Sequence, residues 1–217
     1  MIPIFKKTQP KELLEYKKNN DEDTWDYKNL TEGVKPAIQK SLCEEQGFIC
    51  AYCMQRIEPN GQQMKIEHWI TQATSKKDSV DYSNMLGCCL GQYKDVSHCD
   101  TYRGHLKKEK QQLKYNPANS QHHSLLGIGY KPDGKIFSSD EEFNSQLSDV
   151  LNLNDDKYLC EKRKKIISGI VETIQKLKSA NIPYDIANMI TNWKKKDDDG
   201  KYKEFYGVAV YFLNGLK

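Results

Sequence analysis

Long apolar runs are missing from this sequence, and hydrophobic residues make up only 37% of its 217 positions. No segment approaches the roughly 20 consecutive apolar residues that a membrane-spanning helix needs. The first residues lack the basic start, the apolar stretch and the cleavage site of a signal peptide. We therefore expect a soluble, cytoplasmic protein without membrane contact, whose length suits one or two domains.

A strong excess of charge of either sign is also absent. The 33 Lys and Arg residues face 30 Asp and Glu residues, which leaves a formal net charge of +3. This balance does not by itself indicate nucleic-acid binding, because basic residues must cluster to attract phosphates. Clusters do occur within 107–114 and at 162–165. A third, at 194–196, is followed at once by three aspartates, and for it we expect a solvated turn rather than a phosphate site.

Cysteine is present but unevenly placed. The total of seven is odd and nothing indicates secretion, so metal ligation is favoured over disulfides. Five of the seven lie close together in sequence: Cys50, Cys53, Cys88, Cys89 and Cys99. Structural zinc takes four ligands in a tetrahedron, which predicts a site made of Cys50, Cys53, Cys99 and one of the adjacent pair. Cys43 and Cys160 fall on predicted helices and are expected to be core residues.

The order of predicted elements indicates an α+β chain that is mainly helical. Helices are expected at 10–20, 36–46 and 101–113, and from 154 and 183 onward. Strands are expected at 48–50 and 65–70, joined as a hairpin, and at 129–130 and 136–137 as a second hairpin. Segment 80–86 is predicted to be a loop. The apolar run 205–213 fits either a helix or a strand.

An acidic residue directly precedes a histidine at Glu67-His68, between the two halves of the cysteine set. Phosphodiester hydrolysis needs a cation to neutralise developing charge and a general base to take the proton of the attacking water. A carboxylate suits the cation, and histidine is the natural base near neutral pH. Taken alone, however, His68 is more often a half-buried structural histidine, so the pair gains weight only from its neighbours.

Those neighbours follow a known pattern. The C-x-x-C pair, Glu67-His68, the loop asparagine Asn84, a second cysteine pair and a basic residue three positions after Asp100 resemble the zinc-containing HNH (ββα-metal) nuclease motif. The resemblance implies that Glu67 and Asp100 bind catalytic Mg²⁺ or Mn²⁺ and that His68 is the general base. It further implies that Asn84 ties the loop that holds the His68 ring, and that Arg103 meets the scissile phosphate.

Family spacing places a zinc cysteine five residues after Asn84, which implies Cys89 rather than Cys88 as the third ligand, beside Cys50, Cys53 and Cys99. The sequence departs from the pattern in two places. Asp100 stands where many members have His or Asn, although oxygen ligands suit Mg²⁺. The insert 90–98 lengthens the usual spacing of the second cysteine pair and is expected to loop over the zinc site, where His98 can replace a cysteine ligand.

The string from Asn84 to Gly104, followed by Tyr115-Asn116-Pro117, is similar to the PtuB family, the HNH component of Septu-type and retron-associated Septu anti-phage systems. The resemblance implies three segments: an N-terminal helical part at 1–47, a nuclease core at 48–118 and a mainly helical, partner-docking region at 119–217. The implied partners are a PtuA-like ABC/SMC ATPase and, in retron systems, a reverse transcriptase with its DNA–RNA hybrid. The implied substrate is nucleic acid, with DNA favoured.

Two further functions were weighed against the nuclease. The cysteines alone also suit a catalytically silent zinc-binding adaptor that docks nucleic acid or the ATPase, a function that needs neither Glu67 nor Asp100. A zinc deaminase requires His-x-Glu with the glutamate after the histidine. Because Glu67 precedes His68, the deaminase is excluded.

Overall fold

The computed structural model describes residues 1–71 and 77–216, which combine helices with short antiparallel strand pairs. The helices are α1 (Lys11–Asn19), α2 (Val34–Gln46), α3 (Cys99–His105), α4 (Glu141–Asp149), α5 (Leu159–Ser179), α6 (Ile186–Lys194) and α7 (Tyr206–Asn214). The strands are β1 (Lys65–His68), β2 (Met85–Cys88), β3 (Gln92–Tyr93), β4 (Val96–Ser97), β5 (Ile128–Tyr130) and β6 (Ile136–Ser138). They pair in sequence order as three two-stranded sheets, which confirms the mixed α+β class.

Helix α2 ends where the sequence predicts. Ile38 and Leu42, four residues apart, are fully buried on one face. Gly47 then adopts a left-handed conformation with φ of 65°, and its N–H donates to the carbonyl of Cys43. A side chain at position 47 would also collide with the ring of Tyr202, so this glycine is required both for the helix end and for close packing.

The partner of β1 differs from the prediction. Residues 65–68 pair with β2 and not with 48–50, in a register that places Lys65 opposite Cys88 and His68 opposite Met85. Residues 48–50 make only an isolated bridge, between Ile49 and Arg56. The predicted loop at 80–86 was wrong for its last two residues, because β2 is buried on both faces and so lacks the alternation by which an exposed strand is recognised.

Helix α3 is shorter than the predicted 101–113. It begins at Cys99, and its last turn closes when the N–H of Leu106 donates to the carbonyl of Arg103. The segment beyond Leu106 folds back, and the Nε of Arg103 donates to the carbonyl of Gln111 at 2.7 Å. Because the chain turns back here, α3 is only about two turns long, and it follows β1 and β2 along the chain.

The C-terminal region contains one helix that sequence reasoning missed, α4, and two that start later than predicted, α5 and α6 (at Ile186 rather than 183). Asp140 caps α4 by accepting from the N–H of Phe143 at 2.8 Å. The expected cap of α5, Asn154, instead bonds to both backbone groups of Ile136, and the helix begins at Leu159. The second predicted hairpin is confirmed as β5–β6. The apolar run 205–213 forms α7, whose Ala209 and Leu213, one helical turn apart, pack against α5 and α6.

The largest hydrophobic cluster draws on all three predicted segments. It joins Ile4 and Cys43 from the N-terminal part, Tyr52 and Leu86 from the centre, and Phe143 among others from the C-terminal region. The segment boundaries at 47 and 118 stay a prediction, but the hydrophobic contacts cross both of them. Among the described residues, no helix combines the length and the apolar character needed to cross a bilayer.

Gln46, the last residue of α2, connects this helix to the centre of the molecule. Its side chain is 3% exposed, and its Nε2 donates to the carbonyls of Ile49 and Gly87 at 2.9 and 2.8 Å. Its Oε1 accepts from the N–H of Gly87 at 2.7 Å. One amide therefore fastens α2 both to β2 and to the segment that leads into the first cysteine pair.

We expect Gln46→Ala to lower the free energy of unfolding by about 3 kcal/mol, because the Gly87 N–H and the Ile49 carbonyl lose a buried partner. Chemical denaturation followed by circular dichroism measures the change. The matched control is Gln175→Ala on the exposed face of α5, which should stay within about 0.5 kcal/mol of the parent. Equal stability of the two variants would contradict the role given to Gln46.

Candidate metal centre and acidic cavity

Four cysteine thiols converge from three parts of the chain. The sulfur atoms of Cys50, Cys53, Cys89 and Cys99 all lie within 4.8 Å of one another, and all four residues are buried. Cys50 and Cys53 sit on a tight turn closed by the N–H of Cys50 donating to the carbonyl of Gln55 at 2.8 Å. Cys89 follows β2, and Cys99 opens α3. A turn, the end of a strand and the start of a helix thus meet at one point.

Tetrahedral zinc fits this set. Zinc–thiolate bonds of about 2.3 Å imply sulfur–sulfur separations of about 3.8 Å across a tetrahedron. The sulfur atoms of Cys50 and Cys99 are 3.9 Å apart, and those of Cys53 and Cys89 are 3.6 Å apart. Cys99 is also held from outside the site, because its N–H donates to the carbonyl of Leu151 at 2.8 Å. These two separations match a tetrahedral site, and all four sulfur atoms lie close enough together to bind a metal ion such as zinc.

Cys88 and His98 were the open alternatives. Cys88 is fully buried at the end of β2 but does not belong to the group of four mutually close thiols. Cys88 still lies within hydrogen-bonding reach of Cys50, so it borders the group without being one of its four members. His98 borders the group, with its Nδ1 at 3.2 Å from the sulfur of Cys99 and 4.0 Å from that of Cys89.

The thiols influence one another's ionisation. Burial opposes the charged form, yet hydrogen bonds from neighbouring thiols lower the pKa of Cys50 well below its usual value. The pKa of Cys89 is raised well above its usual value, first by its hydrogen bonds to Cys50 and Cys53. One thiolate thus forms at the expense of the others. A divalent cation is the natural means of holding four thiolates in so small a volume.

Beside the thiols lies a carboxylate in an unusual setting. Glu67 on β1 is 5% exposed, and its Oε1 forms an ion pair with Nη1 of Arg103. The same oxygen accepts from the hydroxyl of Tyr52 at 3.3 Å. Burial and the negative charge of Glu67 raise the pKa of Tyr52 well above its usual value, so this hydroxyl keeps its proton and donates.

Asp100, in the first turn of α3, lies next to Glu67. Burial, followed by the hydrogen bond to Asp100 and its negative charge, raises the pKa of Glu67 well above its usual value in spite of Arg103. Asp100 also has Lys65 Nζ at 3.7 Å from its Oδ2. Two carboxyl groups in such contact either share a proton or share a cation. Oxygen ligands of this kind suit Mg²⁺ and Mn²⁺.

Both carboxylates open into a cavity of about 250 Å³. Four residues predicted from the sequence to be catalytic line it: Glu67, His68, Asp100 and Arg103. Arg103 was expected to be available for a phosphate, but its side chain is bound by other groups of the protein. Its guanidinium is bound to Glu67 and to the carbonyls of His68, Trp69 and Gln111, and the residue is 2% exposed. In this conformation it orients Glu67, and these bonds engage four of its five N–H groups.

The ring of His68 is oriented by a backbone carbonyl. Its Nε2 lies 2.9 Å from the carbonyl oxygen of Ser79, and the ring of Tyr27 packs edge-on at 4.8 Å. Because a carbonyl only accepts, Nε2 carries the proton of the neutral ring and Nδ1 is its basic nitrogen. Burial lowers the pKa of His68, against the hydrogen bond to Ser79, which keeps the ring neutral and able to accept a proton near pH 7.

Asn84 lies outside the cavity and ties the chain behind it. Its Oδ1 accepts from the N–H of Ile70 at 2.7 Å, and its Nδ2 donates to the carbonyls of Ile70 and Asp78, both at 3.0 Å. These bonds join the end of β1 to the segment that carries Ser79, the partner of His68. The role of Asn84 in holding the His68 ring stays a prediction. Residues 72–76, between these two points, lie outside the described residues.

Tyr52 and Lys65 were missed by sequence reasoning. Tyr52 stands inside the C-x-x-C pair, where a buried aromatic residue reads as core, and only the packing of β1 against the cysteine turn brings its hydroxyl to Glu67. Lys65 donates to the hydroxyl of Thr101 at 2.7 Å and thereby lies beside Asp100. Alternation along β1 could have placed Lys65 on the same face as Glu67, since the two are two residues apart.

Comparison with known proteins gives one distant similarity. No family model matches the chain. The chain is similar to the Septu protein PtuB of Bacillus thuringiensis, with 23% identity over 177 residues, which cover 82% of this chain and 64% of that protein. It therefore spans less than two thirds of the length of that relative. The similarity supports the relationship to Septu PtuB proteins that the motif indicates, and it is consistent with a part in anti-phage defence.

We expect Cys89→Ser to lose the zinc site and Cys88→Ser to keep it, because only the former removes a member of the four-thiol group. Metal analysis of the purified proteins should give about one zinc per parent chain and per Cys88→Ser chain, and far less for Cys89→Ser. The two substitutions are chemically identical and adjacent, so they control for each other. Zinc loss in the Cys88 variant alone would overturn the assignment.

Proposed function

We propose that this chain is a metal-dependent HNH-type endonuclease that hydrolyses phosphodiester bonds of nucleic acid, with DNA as the favoured substrate. The main support is that Glu67, His68 and Asp100 line one cavity beside a four-thiol cluster. The order of these groups along two strands and a helix is the order of the HNH motif. The similarity to a Septu PtuB protein supports the same proposal from outside the site.

Two metals have separate roles in this proposal. Zinc held by Cys50, Cys53, Cys89 and Cys99 is structural and leaves no ligand position for substrate. Glu67 and Asp100 would hold the second cation, for which their oxygen atoms and their mutual repulsion are suited. When bound, a Mg²⁺ or Mn²⁺ ion supplies charge neutralisation at the phosphate and at the leaving oxygen.

His68 takes the proton of the attacking water. The Ser79 carbonyl holds the proton on Nε2, so Nδ1 is the atom that receives the new proton as the water oxygen bonds to phosphorus. One P–O ester bond breaks on the opposite side, and the leaving oxygen departs as an alcohol after taking a proton from solvent. Asn84 contributes without touching substrate, because it fixes the backbone that carries Ser79. The imidazole thereby keeps one orientation throughout the reaction.

Arg103 and Tyr52 position Glu67. Both bind its Oε1, which leaves Oε2 as the oxygen available for other contacts. Arg103 is itself held by carbonyls of Trp69 and Gln111, at 2.8 and 2.7 Å, so its position is rigid. A carboxylate oriented by a fixed guanidinium can meet a cation without first losing side-chain freedom. The phosphate contact implied for Arg103 by the family resemblance remains a prediction.

A catalytically silent zinc-binding adaptor is the second candidate. The four-thiol cluster would serve it equally well, and the buried Glu67–Arg103 ion pair could be purely structural. The adaptor does not need a histidine and two carboxyl residues around one cavity, and this grouping is the observation that favours the enzyme. Full anti-phage protection by a chain in which Glu67 and His68 are both replaced would decide for the adaptor.

The proposed setting is an anti-phage complex in which this chain is the effector subunit of a PtuA-like ABC/SMC ATPase. A retron reverse transcriptase with its DNA–RNA hybrid is a further partner implied by the resemblance. Purification of the native complex identifies these partners. A cleavage assay of that complex on DNA and on RNA, with Mg²⁺ or Mn²⁺ and with nucleotide varied, then tests substrate and activation together.

We expect His68→Ala to reduce metal-dependent cleavage by about 10²–10⁴-fold, since a general base contributes that much. Zinc content should stay unchanged. The control is His105→Ala, which removes an exposed histidine from the same helix as Asp100 and should cleave at the parental rate. Cleavage is followed on labelled DNA and RNA with Mg²⁺ or Mn²⁺. Parental cleavage by the His68 variant would refute its role as the base.

We expect Tyr52→Phe to lower cleavage by about tenfold, the effect of about 1.4 kcal/mol on an oriented group, and to raise the Mn²⁺ concentration needed for half-maximal activity. The reason is that Glu67 loses one of the two donors on Oε1. Tyr211→Phe, which removes a hydroxyl from α7, is the control. Zinc analysis separates the two roles of residue 52. A variant that has lost zinc would show that Tyr52 only packs against the cysteine turn.

A further inference from the structure

A second cavity, of about 540 Å³, lies between the loop that joins α6 to α7 and the segment after the first cysteine pair. Five of its nine lining residues are basic, among them Lys195, Lys196, Lys201 and Lys203. We call it the lysine cavity. It shares no lining residue with the acidic cavity. The cluster at 194–196, expected from the sequence to be a solvated turn, thus contributes two residues to a defined concave surface.

A closed turn presents these lysines from two sides. The N–H of Asp197 donates to the carbonyl of Lys201 at 3.0 Å, and the N–H of Lys201 donates to Asp197 Oδ1 at 2.7 Å. Gly200 makes the reversal possible with φ of 77°. Lys195 and Lys196 therefore lie on one limb of the loop, and Lys201 and Lys203 on the other.

The loop is fastened to the segment around the cysteine turn. Arg56, three residues after Cys53, donates from Nη2 to the carbonyl of Tyr202 at 2.6 Å and from Nη1 to that of Phe48 at 3.0 Å. The N–H of Tyr202 donates to the carbonyl of Gly47 at 3.0 Å. These bonds hold the C-terminal loop against the segment around the cysteine turn, so the shape of the cavity is set before any ligand binds.

Positive charge is concentrated here. Five basic side chains and two carboxylates line the cavity, a net charge of +3, which equals that of the entire chain. Asp197 is already engaged by backbone N–H groups, and Lys201 pairs with Glu58 at 2.9 Å. Within residues 1–71 and 77–216, no ion pair to a carboxylate involves the other lysines of the lining: Lys195, Lys196 and Lys203.

Aromatic faces accompany the lysines. Lys196 Nζ lies 4.8 Å from the ring centre of Tyr202, and Lys203 Nζ lies 5.1 Å from that of Trp193. Burial, together with the positive charge of Lys7, lowers the pKa of Lys196. An anion in the cavity would relieve this repulsion. Lysines interleaved with aromatic rings are typical of surfaces that follow a nucleic-acid backbone without reading its sequence.

We propose that the lysine cavity binds the phosphodiester backbone of nucleic acid, as a second contact region apart from the acidic cavity. The choice of ligand rests on the proposed nuclease function, whereas the anion preference rests on the charges alone. Lysines on two limbs can each neutralise a separate phosphate, which favours a polyanion over a single small anion. Such contacts hold substrate without selecting its bases.

The test uses the full chain with zinc bound and with His68→Ala to prevent cleavage. Binding of a fluorescein-labelled single-stranded DNA of about 20 nucleotides is measured by anisotropy between about 50 and 200 mM NaCl. We expect Lys195→Glu combined with Lys203→Glu to weaken binding at least about tenfold. The slope of log affinity against log salt should become shallower by about 1.4, because each lost single-strand phosphate contact accounts for about 0.7.

The control combines Lys176→Glu with Lys178→Glu, two exposed lysines of α5 outside the basic cluster at 162–165, and makes the same change in net charge. Unchanged affinity in the cavity variant, or an equal loss in the control, overturns the proposal. Lys195→Ala with Lys203→Ala covers the case in which charge reversal disturbs folding, and it should still flatten the slope. If binding depends on these lysines but the parental chain, with His68 intact, shows no cleavage, the nuclease function alone is refuted. Cleavage with lysine-independent binding would refute only the lysine cavity.

Discussion

Four buried thiols gathered within 4.8 Å of one another are the constraint on which the rest of the structure depends. They come from a turn, from the end of β2 and from the start of α3, so they set where the helix stands relative to the strands. Uncharged thiols alone would give weak cohesion, whereas thiolates around a cation give strong cohesion. The acidic cavity lies between the elements that this cluster holds together.

Tyr52 connects the thiol cluster to the buried carboxylate of Glu67. It stands between Cys50 and Cys53, and its hydroxyl reaches the Oε1 of Glu67. Arg103 approaches the same oxygen from α3, which Cys99 opens. The orientation of one carboxylate is thus determined from both sides of the thiol cluster. Burial makes the ion pair costly to break, since removing one partner leaves an uncompensated charge, and this favours a fixed cavity geometry.

Sequence reasoning failed where residues distant along the chain decide the outcome. The strand partner of β1 was misassigned because β2 is buried on both faces and has no alternating pattern. Helix α3 ends early because Arg103 bonds to the returning chain at Gln111, a contact that local propensity does not report. The lysines at 194–196 lead into an exposed turn, as expected, but their place in the wall of a cavity depends on the bonds of Arg56 to Tyr202 and Phe48, which the sequence does not report.

The sequence by itself determined which residue types could form a metal site, since the spacing of the cysteines is a local fact of residue type and order. It also determined the mixed α+β class and the end of α2 at Gly47. The tertiary structure decided that Cys89 rather than Cys88 joins the thiol group, and that Arg103 is buried against Glu67. Side-chain direction and burial depend on which segments pack together, and that packing is set by contacts far apart in sequence.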